Sequence, residues 1–488
     1  MNTASSPSSV ARADAPRSSG SAGPRLDGPV PDVTLPLRFV LFGIFSLVSG
    51  IVMLVARPDL LAAYHYNQHI VAITHVFVLG FLLSIVSGAM YQLVPIVLET
   101  PLHSERLARW HFVVHVVSVT GMVAMFWVWN MKQLGHFGSG LALGAALFSW
   151  NIIRTLLRVR GWTVVSFGIA SVLFWLGSVV IAGLALAAAK STYELNESSG
   201  VNPVLAATLN GLRAAQSFLA RFEPLAVMHS HAHLGVLGVF ILVTCTIAYR
   251  LVPMFVIGEM QNPRRAWTSL WLINAGTAAT FLAVLNQSPL KPVAGLISAS
   301  GLLLYGLELH AIIRNRRRKT LDWGIRMFLT SQSLLGVLVL LGLGLSRPGI
   351  PLTPFSGQLE TTYGFLAILG VAGLAILGML YKIVPFLVWF AAYSRQIGRT
   401  RTPALHEMYS TRLQILGGGS WLAGLAVTIA GILASHPACI RAGTLLLAAS
   451  LVTFAFNIAR ILGHLVHPQL QPIAPRVPAS GGPLRTTT

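Results

Sequence analysis

Several histidines lie in long apolar stretches of the chain, where an imidazole is expensive to bury. His75 is in the second such stretch, and His229, His231 and His233 open the sixth. An ionisable side chain inside a bilayer indicates a functional site. Neutral imidazole is a preferred ligand for haem iron and a good one for copper. These four residues are therefore candidate cofactor ligands.

The spacing of these histidines limits how they can act together. On a helix, His229 and His233 lie one turn apart and share a face, whereas His231 points to roughly the opposite side. His75 and His233 occupy the same place in an internal repeat and should lie at similar depth. Two histidines on different helices can clamp one haem. We therefore expect His75 and His233 to bind one haem, and the cluster of His229, His231 and His233 to bind a metal ion or haem. Packing or hydrogen bonding within the core remains the alternative role.

The internal repeat is a fixed spacing of glycine, tyrosine and proline. Glycine comes five residues after the first position, tyrosine eleven residues later, and proline four after that. The copies cover 75–95, 233–253 and 365–385, and the third has phenylalanine in place of histidine. Gly80 and Gly238 would let a neighbouring helix or a flat ligand approach the backbone. We count them as candidate cofactor-binding residues beside the histidines.

The elements that carry these residues are membrane spans. Of the 488 residues, 54% are hydrophobic and only 10% are charged, which excludes a soluble enzyme. At roughly 20 apolar residues per span, the sequence predicts an all-α, polytopic membrane protein with twelve transmembrane helices. The predicted spans are 36–56, 70–95, 107–129, 137–157, 162–189, 225–253, 266–286, 293–313, 325–345, 361–387, 415–434 and 442–462.

The three repeat copies fall in the second, sixth and tenth spans. This indicates three four-helix pseudo-repeats within a transmembrane domain over 34–467. The predicted units, their boundaries approximate, are 36–160, 161–320 and 321–467. The flanking segments 1–33 and 468–488 are rich in serine, proline and glycine, and we expect disordered tails there.

Charge predicts the orientation. The net charge is +20, from 34 Lys and Arg against 14 Asp and Glu. With the N-terminus inside, 26 of the basic residues fall on the inner side and 8 on the outer side. This asymmetry favours cytoplasmic N- and C-termini, and it explains the charge without a nucleic-acid partner. The two cysteines form no C-x-x-C pair, which excludes covalent c-type haem attachment.

Twelve spans, three four-helix units and histidines on the second and sixth spans resemble subunit I of the haem-copper oxidases. The resemblance implies a low-spin haem ligand at His75 and a copper ligand among His229, His231 and His233. It also implies a bacterial-type inner membrane location and other respiratory or electron-transfer subunits as partners.

The chain departs from this family at two sets of ligands. The family has a His-x-His pair on the tenth span, where the repeat alignment places Tyr363 and Phe365 here. It has adjacent histidines on the seventh span, and 266–286 contains none. We therefore expect an oxidase-like membrane protein that binds haem, copper or both without the full binuclear site. The alternatives are a divergent terminal oxidase or nitric oxide reductase subunit, and a cofactor-free transporter or assembly protein.

Overall fold

The computed structural model describes residues 33–195, 203–397 and 400–472. Most of both predicted tails lies outside these residues. Within them the chain is almost entirely helical, with one two-residue antiparallel pairing between Thr400–Arg401 and Gln471–Pro472. The predicted all-α class is confirmed.

Twelve long helices follow one another along the described chain. They are α1 Thr34–Ala56, α2 Gln68–Val97, α3 Glu105–Val128, α4 Met131–Leu156, α5 Val164–Leu195, α6 Pro224–Val256, α7 Pro263–Leu285, α8 Lys291–Arg314, α9 Trp323–Leu345, α10 Pro354–Gln396, α11 Thr411–Leu433 and α12 Pro437–Val466. Two short helices, Asp59–Ala62 and Pro203–Leu219, lie in the connections.

Eleven of these helices are long and apolar enough to cross a membrane. The remaining one is α4, which has the length of a span at 26 residues but carries Lys132, His136 and Arg154. The described residues therefore form a multi-pass membrane protein of eleven candidate spans, one fewer than predicted. The helix α4 lies where the fourth span was predicted.

Polar side chains cap the N-termini of many of the helices, at the ends of the connections between them. Asn67 accepts a hydrogen bond from the Ile70 amide at the start of α2, and Ser104 does the same for Leu107 at the start of α3. Such caps satisfy backbone N–H groups that have no partner within the helix. Further caps are Asn130, Glu223, Asn262, Asp322, Thr353, Ser410 and His436.

Three helices contain a π-helical segment at the same place in the repeated pattern. The segments are Val76–Leu83 in α2, Leu234–Ile241 in α6 and Leu366–Gly373 in α10. Each begins directly after the first position of the pattern. The third segment packs against both the first and the second, so the three meet inside the bundle. Such segments are rare and are frequent at functional sites.

An asparagine on α4 and another on α12 bind a loop in the same way. Asn151 accepts a hydrogen bond from the Ser104 amide at 3.0 Å and donates one to the Ser104 carbonyl at 2.7 Å. Asn457 makes the same pair with Ser410, at 2.8 and 3.1 Å. In both cases the partners are 47 residues apart. Each asparagine thus fixes the connection that leads into α3 or α11.

A buried glutamate takes the corresponding place on α8. Glu308 is fully buried, and its Oε1 accepts hydrogen bonds from the amides of Gln261 at 2.6 Å and Asn262 at 2.9 Å. Gln261 is again 47 residues away. Arg265 forms an ion pair with the other carboxylate oxygen at 3.3 Å. This carboxylate fixes the connection into α7.

Candidate cofactor site in the central cavity

A cavity of about 580 Å³ lies between the helices that carry the candidate histidines. Its walls come mainly from α2, α5, α6 and α10, with further residues from α3, α4, α7, α8 and α9. The walls are largely apolar, and all four candidate histidines line them. The volume is within the range of small-molecule and cofactor sites. The sequence therefore brings its membrane imidazoles to one internal space.

The His75 ring is held in one tautomer. Its Nδ1 lies 2.7 Å from the Val71 carbonyl oxygen, which can only accept, so Nδ1 carries the proton. The ring packs against Phe126, with centroids 4.6 Å apart. Nε2 therefore keeps its lone pair. A hydrogen bond from the second ring nitrogen is the usual support of a metal-ligating histidine.

His233 repeats this arrangement on α6. Its Nδ1 donates to the His229 carbonyl at 2.7 Å, again four residues earlier. Its ring stacks on Tyr363 of α10, with centroids 6.0 Å apart. His233 is thus prepared as a ligand, and it faces α10.

His231 points the other way, toward α5. A Cβ on Gly183 would lie 3.0 Å from His231 Cε1, so the absence of a side chain at position 183 makes room for the imidazole. His231 Nδ1 is buried without a hydrogen bond of good geometry, although the Val179 backbone lies beside it. His231 and His75 are within electrostatic reach of each other. Both residues line the central cavity.

The histidines predicted to hold haem and copper all line this cavity, and they have different neighbours. His233 lies beside Tyr363, whereas His231 interacts electrostatically with His75. The resemblance implied a copper ligand among His229, His231 and His233. Of these three, only His229 belongs to a group of potential ligands at metal-binding spacing in the described part of the chain.

Gly80 and Gly238 serve helix packing. A Cβ on Gly80 would collide with Ser46 of α1, and one on Gly238 would collide with Trp175 of α5. Neither glycine lines the cavity, for which they were predicted to give a macrocycle room. Gly183 instead makes room for the His231 imidazole. Nothing in the sequence around Gly183 predicts this role.

His65, His229 and Glu360 form a group of potential metal ligands that the sequence did not predict. His65, in the connection between α1 and α2, has its Nε2 3.1 Å from His229 Nε2 and 3.9 Å from a carboxylate oxygen of Glu360. Burial lowers the pKa of His65 to about 4, so its imidazole is neutral at physiological pH. Burial and the nearby Glu360 carboxylate raise the pKa of Tyr64 to about 12.

Two further cavity histidines have partners inside the bundle. His111 Nδ1 hydrogen bonds to the Tyr91 hydroxyl at 2.9 Å, and His115 Nε2 to the Ser84 hydroxyl at 2.8 Å. Both rings are buried, and these bonds hold them in the packing between α2 and α3. We assign them a structural role.

No known family's sequence model matches this chain, and no curated protein matches it. The function of the protein is therefore inferred from the cavity and from the histidines that line it.

Proposed function

We propose that the protein is a haem-binding integral membrane protein, in which His75 and His231 would hold one haem in the central cavity. The observation that carries the proposal is the His75 imidazole. Its Nδ1 is bound to the Val71 carbonyl, which leaves the lone pair of Nε2 free, and His75 lines the cavity together with the incompletely bonded His231. Two histidines on separate helices are an established way to hold haem iron.

The residues around the cavity fit a haem. Its walls are apolar, as the faces of a macrocycle require, and two lysines, Lys190 and Lys291, line it together with the imidazoles. Lys190 Nζ lies 3.3 Å from the Tyr66 hydroxyl, in the connection that precedes α2. Ammonium groups there are suited to the carboxylates at one edge of a haem. When bound, a haem with two imidazole ligands supplies one-electron transfer.

The proposed architecture is three repeated four-helix units, as in subunit I of the haem-copper oxidases. Two recurring contacts support it. The polar residues of α4, α8 and α12 each bind a loop residue 47 positions earlier. The tyrosines of the first two copies, Tyr91 and Tyr249, each bind a side chain 20 positions later. In this proposal the protein lacks the oxidase reaction site, because its seventh and tenth spans lack the family's histidines.

The test is a reduced-minus-oxidised optical spectrum of the purified protein supplied with haem. We expect a low-spin haem band from the wild type and its loss in both His75→Ala and His231→Ala. His69→Ala is the matched control, because this ring packs on Trp127 and lies outside the cavity lining. Loss of the band in His233→Ala with retention in His231→Ala would support the pairing predicted from the sequence. A wild type that takes up no haem would refute the proposal.

A further inference from the structure

We propose that His65, His229 and Glu360 bind a divalent first-row transition-metal ion where the connection between α1 and α2 meets the cavity. One potential ligand atom from each residue lies within 4.8 Å of the other two. The three side chains come from separate parts of the fold: the α1–α2 connection, the first turns of α6 and the first turns of α10. This site uses no residue that is proposed as a haem ligand.

The distances between the ligand atoms fit one shared ion. Zinc–nitrogen bonds are about 2.0–2.1 Å long, which puts two nitrogens on one ion roughly 3.0–3.4 Å apart. The Nε2 atoms of His65 and His229 are 3.1 Å apart. The Glu360 oxygen is 3.9 Å from His65 Nε2, and its partly exposed side chain can close that gap by rotation.

The surroundings of His65 leave the correct nitrogen free. The Thr361 hydroxyl donates to the Gly357 carbonyl at 2.9 Å, and its oxygen lies 3.3 Å from His65 Nδ1. Since that hydroxyl proton is already used, Nδ1 of His65 is the donor and its Nε2 lone pair faces His229. This support by a second hydrogen bond is typical of metal-ligating histidines.

Charge and coordination number indicate the kind of ion. Two imidazoles and one carboxylate suit zinc or ferrous iron, and three protein ligands leave at least one position for water or a small ligand. Lys291 lies within electrostatic reach of both His229 and Glu360.

The experiment uses zinc with haem-free, full-length protein in detergent. After equilibrium dialysis, elemental analysis should find one tightly bound Zn²⁺ per chain, and zinc should raise the unfolding temperature. In Glu360→Gln and His65→Asn we expect zinc affinity to fall on the order of 100-fold, since even outer partners of a metal site contribute 10–100-fold. The zinc-dependent rise in unfolding temperature should disappear with it.

His69→Asn is the matched control, because it removes an imidazole four residues from His65 that packs on Trp127. It should bind zinc as the wild type does. The unfolding temperature without zinc shows whether each variant is folded. Equal zinc binding by the wild type and Glu360→Gln, or equal loss in the control, would overturn the proposal. Haem binding is measured separately, so failure of one proposal leaves the other intact.

Discussion

The tautomers of the cavity histidines follow from short-range geometry on their own helices. His75 and His233 each donate from Nδ1 to the carbonyl four residues earlier, Val71 and His229 respectively, at 2.7 Å. The sequence could predict that His231 lies opposite His229 and His233, because the angle between them is a property of the helix. It could not predict which helix each face meets. That depends on where Gly183 and Tyr363 lie in the folded bundle.

The space beside His231 yields a prediction. In Gly183→Ala the new methyl group would press on the imidazole, since its Cβ would lie 3.0 Å from Cε1. We expect haem affinity to fall about tenfold, the size of effect seen when the support of a ligating histidine is disturbed. Haem titration of the purified variant measures this.

Gly177→Ala on the same helix is the control, because a Cβ there would have nothing within 4 Å. Both changes raise helix propensity equally, so a difference between them reports the contact with His231. Equal affinities in the two variants would contradict the assignment of His231 as a haem ligand.

At the scale of the helices, apolar length predicted the boundaries well. The first span, predicted over 36–56, is observed at Thr34–Ala56, and the eighth, predicted over 293–313, at Lys291–Arg314. The π-helical segments could not be predicted, because their apolar residues carry no local mark that distinguishes π from α geometry. The π segments nevertheless begin at equivalent positions of the repeated pattern that the sequence shows in three spans.

The buried carboxylate of α8 gives a prediction on stability. Glu308→Ala would leave the Gln261 and Asn262 amides without their acceptor and Arg265 without its ion pair. An unsatisfied buried donor costs about 1–3 kcal/mol, so the variant should unfold at a clearly lower temperature in detergent. Glu259→Ala removes an exposed acid from the same loop and should unfold like the wild type. Unfolding at the same temperature in both variants would mean that Glu308 does not stabilise this connection.

At the scale of the whole molecule, the distribution of basic residues predicts which helix ends face the cytoplasm. Eleven candidate spans and the additional helix α4 make up the twelve long helices of the described part of the chain. Most basic residues lie at one set of helix ends, including the run Arg314 to Lys319 between α8 and α9. Under the positive-inside rule we expect those ends to face the cytoplasm if α4 also crosses the membrane. His65, in the connection between α1 and α2, would then lie toward the opposite side.

The native cysteines can test this orientation. Cys245 is fully buried, whereas Cys439 is partly exposed in the first turn of α12, on the predicted outer side. A membrane-impermeant maleimide should therefore label intact cells that make the wild-type protein and fail to label Cys439→Ser. In that cysteine-depleted background, Thr320→Cys places a thiol at an exposed position between α8 and α9. It should react only after the membrane is opened. Because the two sites lie on opposite sides in the proposed topology, the inverse labelling pattern would reverse the orientation and place His65 toward the cytoplasm.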